Sequence, residues 1–186
     1  MNIGFAMCGS LCTFDAVFSA MQAVAEKHTV IPIMSRPSIS IDSRFGTAED
    51  HICKVAEICG RQPLTAIEEV EPIGPKKLLD ALIIAPCTGN TLAKLAYSIA
   101  DGPVTMAAKS HLRNGRPILV AISTNDALAG AAENIGRLLG RKNYFFVPFG
   151  QDDPFKKPTS IVADFTKVLP ALTLMLEGIQ IQPMLQ

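Results

Sequence analysis

The sequence predicts a three-layer α/β fold, with a parallel sheet of about six strands and helices on both faces. Three observations point there. Short apolar runs alternate with helical patterns along the chain. The clearest run, Ala81-Leu-Ile-Ile-Ala85, contains no polar residue, as strands covered on both faces do. The loops after the apolar runs are rich in Ser, Thr, Gly and Asn, which suits a sheet that holds its ligand beyond the carboxyl ends of its strands.

The elements follow in order. Ile3-Gly-Phe-Ala-Met7 is a short strand ending in Cys8-Gly9-Ser10. From Phe14 to about Lys27, the residues Phe14, Val17, Phe18, Met21, Val24 and Ala25 share one helical face. Val30 to Met34 is a second strand, so the first stretch is the size of one βαβ crossover of a Rossmann-like sheet. Residues 35 to 47 read as a long loop rich in Ser, Pro and Arg. Thr47 caps a helix running to Gly60, with Asp50 in the capping-box position. Pro63 to Lys77, broken by prolines, reads as irregular. After the central strand, helices are expected from Asn90 to Ala96 and from Val104 to Asn114. Pro117 to Ile122 and Tyr144 to Pro148 are strands, with a helix from Asp126 to Leu139 between them. Phe155 to Pro158 is a loop, and Ser160 to Glu177 reads as a closing helix.

Composition narrows the function. A chain of 186 residues suits one domain spanning residues 1–186, without room for a second catalytic lobe. Its 17 Lys+Arg balance 17 Asp+Glu, so the basic excess of a nucleic-acid binder is absent. Charges or turn residues interrupt every apolar run before the ~20 residues a spanning helix needs. Asn2 to Met7 is too short, and lacks the basic start, for a signal peptide. Five cysteines form no zinc-like spacing and read as reduced thiols of a cytosolic protein, mostly small core hydrophobes. No metal site is expected. A 48% hydrophobic content in a neutral chain suggests apolar surface covered by self-association.

Four loops fall at the ligand-binding edge: Cys8–Thr13, Ser35–Gly46, Pro86–Asn90 and Ser123–Asp126. Their hydroxyls, amides and helix N-termini suit a phosphate. The Gly4-x-x-x-x-Gly9-Ser10 turn is neither GxGxxG nor a Walker loop, and ordinary turn chemistry explains it as well. Thr88, Asn90 and Thr91 say more. Capping a helix needs one polar side chain, and three stand here directly after a buried strand. Lys94, four residues after Asn90, lies on the same helical face and can neutralise a bound anion or remain a solvated surface lysine.

The stretch from Asp80 to Asp101, with Ala85-Pro-Cys-Thr-Gly-Asn-Thr-Leu-Ala-Lys94 at its centre, resembles the family of homo-oligomeric flavin-containing cysteine decarboxylases. Its pattern there is A-P-A-T-A-N-T-x-A-K-x-A-x-G-I-A-D. Ile3 to Ser10 resembles the family's opening strand and phosphate turn. The resemblance implies FMN, with its phosphate near Gly9, Ser10, Ser35, Thr88 and Asn90. It implies Ala100 and Asp101 near the ring system, and Ser110 less directly. It also implies a trimer, or four trimers in a dodecamer. Asn125 stands where the decarboxylases carry the Asn of a Pro-x-Met-Asn motif, although Ala121-Ile-Ser-Thr-Asn125 lacks the Pro and Met. The decarboxylases' histidine before the middle strand has no counterpart in residues 61 to 80, which puts cysteine-type decarboxylation in doubt.

Three function classes remain open at this point: an oxidoreductase component, an FMN-dependent decarboxylase, and a non-catalytic partner protein. No catalytic residue stands out. Arg36 and Arg44 flank the loop after the second strand, where a carboxylate substrate could be gripped bidentately, and Lys94 and Lys109 add charge. Surface solubility explains the two arginines as well. A chain this short, with its one domain given to flavin, leaves NAD(P) to a partner protein in any nicotinamide-linked reaction.

Overall fold

The computed structural model describes all 186 residues. Seven strands form one sheet: β1 (Asn2–Met7), β2 (Thr29–Met34), β3 (Ala81–Cys87), β4 (Ile118–Thr124), β5 (Tyr144–Phe146), β6 (Phe149–Asp153) and β7 (Lys157–Ala163). The α-helices are α1 (Phe14–Ala25), α2 (Arg36–Ser40), α3 (Ala48–Cys59), α4 (Ile67–Val70), α5 (Gly89–Ala96), α6 (Pro103–Leu112), α7 (Ala132–Leu139) and α8 (Val168–Leu176). β2, β1, β3, β4 and β5 lie side by side and parallel. α1 touches α3 and α8, whereas α6 touches α4 and α5, and α5 touches α7; these sets make the two outer layers. The expected three-layer α/β architecture is the one observed.

The parallel centre follows from burial. Every residue of β3 is buried, and so is every residue of β4 before Thr124. A strand covered on both faces can carry no unpaired polar side chain, hence the continuous apolar runs. Burying each of Ile83 and Ile84 contributes about 2 kcal/mol. α1 buries Phe14, Val17, Met21 and Val24, the spacing of one helical face. The predicted capping box of α3 is present, with Thr47 and Asp50 bonding each other's backbone N–H. α3 ends at Gly60, whose φ of +64° is left-handed and favours glycine.

Four expectations are corrected. The segment from Ser160 is not helical at its start. Lys157 to Ala163 is β7, which pairs antiparallel with β6 and with the end of β4 at Ser123 and Thr124. Its Ser-Ile-Val run favours extended backbone, and Asp164 then caps the turn of Phe165–Lys167 that leads into α8. The sheet therefore has seven strands, because the outer edge of β4 is shared by β5 near its start and β7 near its end. The helix expected from Asp126 begins only at Ala132, because tight turns occupy the residues before it. There the Asp126 carbonyl accepts from the Ala129 and Ala131 N–H groups. Within the loop after β2, Arg36–Ser40 forms the short helix α2.

Candidate functional site

The carboxyl ends of β1, β2 and β3 open into a cleft of about 280 Å³. Gly9 comes from the loop after β1, Ser35 and Arg36 from the start of α2, and Thr88, Asn90 and Lys94 from α5 and its cap. Asp101, Gly102 and Thr105 close the far side. Only two lining residues are hydrophobic, so the cleft suits a polar guest.

Three hydroxyl and thiol groups run in line beneath it. Thr88 caps α5, its Oγ1 accepting from the Thr91 N–H at 3.4 Å. The Thr88 hydroxyl donates to Thr91 Oγ1 at 3.2 Å, and the Thr91 hydroxyl donates to Cys8 Sγ at 3.2 Å. Burial raises the Cys8 thiol to about 11, so it stays protonated and serves as packing. Thr88 thus satisfies the Thr91 N–H, while the N–H groups of Gly89 and Asn90, at the first positions of α5, have no intrahelical partner.

Across the cleft, the Ser35 and Ser38 hydroxyls lie 2.7 Å apart, and Ser38 donates to the Met7 carbonyl at 3.0 Å. Ser38 thus ties α2 to the end of β1. Gly9 is required by space: a Cβ there would meet Pro37 Cβ at 2.8 Å. Lys94 Nζ donates to Asp101 Oδ2 at 2.9 Å. That hydrogen bond holds the Asp101 carboxyl below its ordinary range. The same pairing offsets a negative charge that would otherwise oppose an anion in the cleft.

A second cleft of about 390 Å³ adjoins the first through Gly9 and Thr88. It holds Ser10, Ser43, Ser123, Thr124, Asn125 and Lys157. Ser10 and Ser123 bond at 2.8 Å, joining the β1 loop to the end of β4. The Asn125 carbonyl accepts from the Thr159 hydroxyl at 2.6 Å, and its side chain lies 3.4 Å from Ser160 Oγ. Lys157 pairs with Asp152 at 2.6 Å, which raises its ammonium above its ordinary value.

The structure therefore brings Gly9, Ser35, Arg36, Thr88, Asn90 and Asp101 to one cleft, and Ser10 and Asn125 to its neighbour. It places others elsewhere. Ser110 is buried against the backbone of Gly74, outside both clefts. Arg44 is exposed and stacks over the Phe45 ring at 4.8 Å. Ala100 lines neither cleft, although its neighbour Asp101 does. His51 is buried among Phe14 and Phe18, with Nε2 3.1 Å from the Phe45 carbonyl, and no histidine lines either cleft. Sequence reasoning placed Ser123 in an edge loop and missed Thr105 and Lys157. Lys157 falls in the segment Phe155 to Pro158, read as a loop, and the β6–β7 hairpin brings it to the cleft that Ser10 lines.

Comparison with known proteins assigns the family. A family model described as "Flavoprotein" matches residues 1–152. The chain belongs to the flavoprotein family.

Among related flavoproteins, the B subunit of dipicolinate synthase of Bacillus subtilis (strain 168) is 44% identical over 185 residues, covering 99% of this chain and 92% of that one. The crystal structure of the corresponding dipicolinate synthase protein from Bacillus halodurans C superposes with a TM-score of 0.91 at 40% identity, covering 100% of this chain and 95% of that one. The FMN-dependent cysteine decarboxylase SpaF shares the fold, with a TM-score of 0.71 at 19% identity, covering 95% of this chain and 97% of that one. A flavin's phosphate suits the first cleft of this flavoprotein. The donors there are the open end of α5, the Asn90 amide and two cations, and Gly9 leaves backbone exposed.

Proposed function

We propose that this flavoprotein binds FMN with its phosphate between Gly9, Ser35 and the N-terminus of α5. In this reading it works as the B subunit of dipicolinate synthase, beside the nicotinamide-binding A subunit of that enzyme. Together they form dipicolinate from a dihydrodipicolinate-level intermediate of the lysine pathway, in the cytoplasm of a sporulating bacterium's mother cell. When bound, flavin supplies a two-electron acceptor, and loss of two hydrogens from a dihydropyridine ring gives an aromatic product. The observation that carries the reading is the opposition of the Thr88–Asn90 helix start to Gly9 and Ser35 across one cleft.

The chain's own residues divide the work. The helix start that Thr88 caps and the Asn90 amide hold the phosphate end, and Lys94 balances its charge. Ser10 and Asn125 offer hydrogen bonds in the adjoining cleft, where Asp152 already offsets the charge of Lys157. Arg36 lies at the phosphate cleft and serves the cofactor rather than the substrate. The absence of a histidine from both clefts disfavours a histidine-assisted decarboxylase. Exposed Tyr97, Leu128 and Phe155 supply apolar surface for a homo-oligomer, a trimer or a dodecamer.

The test is a titration of purified protein with FMN, followed by reconstitution with the nicotinamide-binding partner and measurement of dipicolinate formation. FMN binding that Asn90→Ala weakens about tenfold or more supports the reading. A protein that binds no FMN, or an Asn90→Ala variant of full affinity and activity, overturns it.

A further inference from the structure

A third cleft, of about 300 Å³, lies between α5 and α6 on the far side of Lys94 from the phosphate cleft. Its floor is apolar, formed by Leu95, Ile99, Ala108, Leu112 and the ring of Tyr144. Its rim is Lys94, Lys109, Arg113 and Arg141, with no carboxylate among the lining residues. In a chain of 17 cations and 17 anions, that is a segregated patch.

The cations are not all engaged by the protein. Lys94 is paired with Asp101. Arg141 donates to the Leu95 carbonyl at 3.1 Å and the Ala96 carbonyl at 2.6 Å, closing the end of α5. Those bonds fix its guanidinium and leave further N–H donors for a guest. Lys109 and Arg113 stand at the end of α6 and enter no ion pair. The α6 terminus accounts for one of the two. The other, with the spare donors of Arg141, has no protein partner. Burial raises the Tyr144 phenol to about 12, so its hydroxyl remains a donor.

We propose that this cleft binds a small, flat aromatic acid, its ring on Leu95, Leu112 and Tyr144 and its carboxylates on Lys109, Arg113 and Arg141. An apolar floor with a cationic rim selects that shape: the ring removes apolar surface from water, and the low-dielectric floor strengthens the ion pairs. Lys94 and Thr105 line both this cleft and the phosphate cleft, so the acid would sit one side chain from the cofactor. The choice of an aromatic dicarboxylate rests on the function proposed above; the cavity and its charges do not.

Titration calorimetry with pyridine-2,6-dicarboxylate and with benzoate, each with and without FMN, tests this. The variants are Lys109→Gln/Arg113→Gln, the charge-retaining Lys109→Arg/Arg113→Lys, and Lys157→Gln in the neighbouring cleft. The expected result is that the double glutamine variant binds the dicarboxylate about tenfold more weakly. The charge-retaining and Lys157→Gln variants keep wild-type affinity, and FMN binding is unchanged throughout. Three results overturn it: no binding of either acid by the wild type, unchanged affinity in the double glutamine variant, or a loss confined to Lys157→Gln. A protein that binds the dicarboxylate here but no FMN keeps this site and discards the flavin reading.

Discussion

The Lys94 ammonium and the Asp101 carboxylate lie 2.9 Å apart and bridge the two ends of the α5–α6 connection. The pair sits on the wall between the phosphate cleft and the α5–α6 cleft. Both side chains are partly exposed, so the pair adds little to stability, about 0.5 kcal/mol or less. Its value is charge placement. Lys94→Met is expected to weaken FMN binding about tenfold while leaving the thermal midpoint nearly unchanged. Asp101 titrates below its ordinary range when folded. Its small stabilising contribution is therefore present at neutral pH and is lost as the pH falls through the folded value. A Lys94→Met protein whose melting temperature drops by about ten degrees would show the pair to be structural instead.

Thr88 carries two duties that substitutions can separate. As the cap of α5, its loss in Thr88→Ala costs about 1 kcal/mol of stability. Thr88→Ser keeps the hydroxyl and is expected to keep both the cap and FMN affinity. Chemical denaturation and flavin fluorescence, read on the same samples, check the two effects.

His111 gives the protein an acid limit. It is fully buried, Nε2 bonds the Pro117 carbonyl at 3.0 Å, and Nδ1 has no partner. Burial lowers its pKa from 6.5 to about 4. The unfolded chain therefore takes up the proton first as the pH drops. Stability is full above 6.5 and declines between 6.5 and about 4, by up to about 3 kcal/mol. His111→Gln, which can still donate to the Pro117 carbonyl, is expected to flatten that part of a stability-against-pH curve. An unchanged slope in the variant would assign the acid sensitivity to other groups.

Four of the five cysteines divide into two environments. Cys8 and Cys87 are buried, and burial raises both thiols, Cys8 to about 11. Cys12 and Cys53 are exposed. Brief alkylation of the native protein at about pH 8, read by peptide mass spectrometry, is expected to label Cys12 and Cys53 while sparing Cys8 and Cys87. Early labelling of Cys8 would mean that the phosphate cleft opens far more than the Thr91–Cys8 contact allows.

Much of the fold was legible in the sequence because its signals are local. The apolar run Ala81 to Ala85 could only be a strand covered on both faces, and Thr47, Asp50 and Gly60 marked the limits of α3. The closing hairpin was not legible. Lys157 to Ala163 is extended because it pairs with β6 and with Ser123 and Thr124 of β4, and the latter contact joins segments far apart in the chain. The same limit applies to the site. Thr88 and Asn90 were visible as surplus polar residues at a helix start and Ser123 as part of an edge loop, whereas Lys157 enters the second cleft only through pairing of distant segments.

The residue order alone determined the alternation of buried strands and amphipathic helices, and the polar loops at the strand ends. Backbone sterics and the burial of neighbouring side chains act over a few residues, so a local pattern suffices to set them. Tertiary structure decided which loops share a cleft. It paired Lys94 with Asp101, kept Ser110 and Arg44 out of the phosphate cleft, and gathered Lys109, Arg113 and Arg141 around an apolar floor. Those outcomes depend on how layers pack and where β4 ends, and no stretch of the chain encodes them by itself.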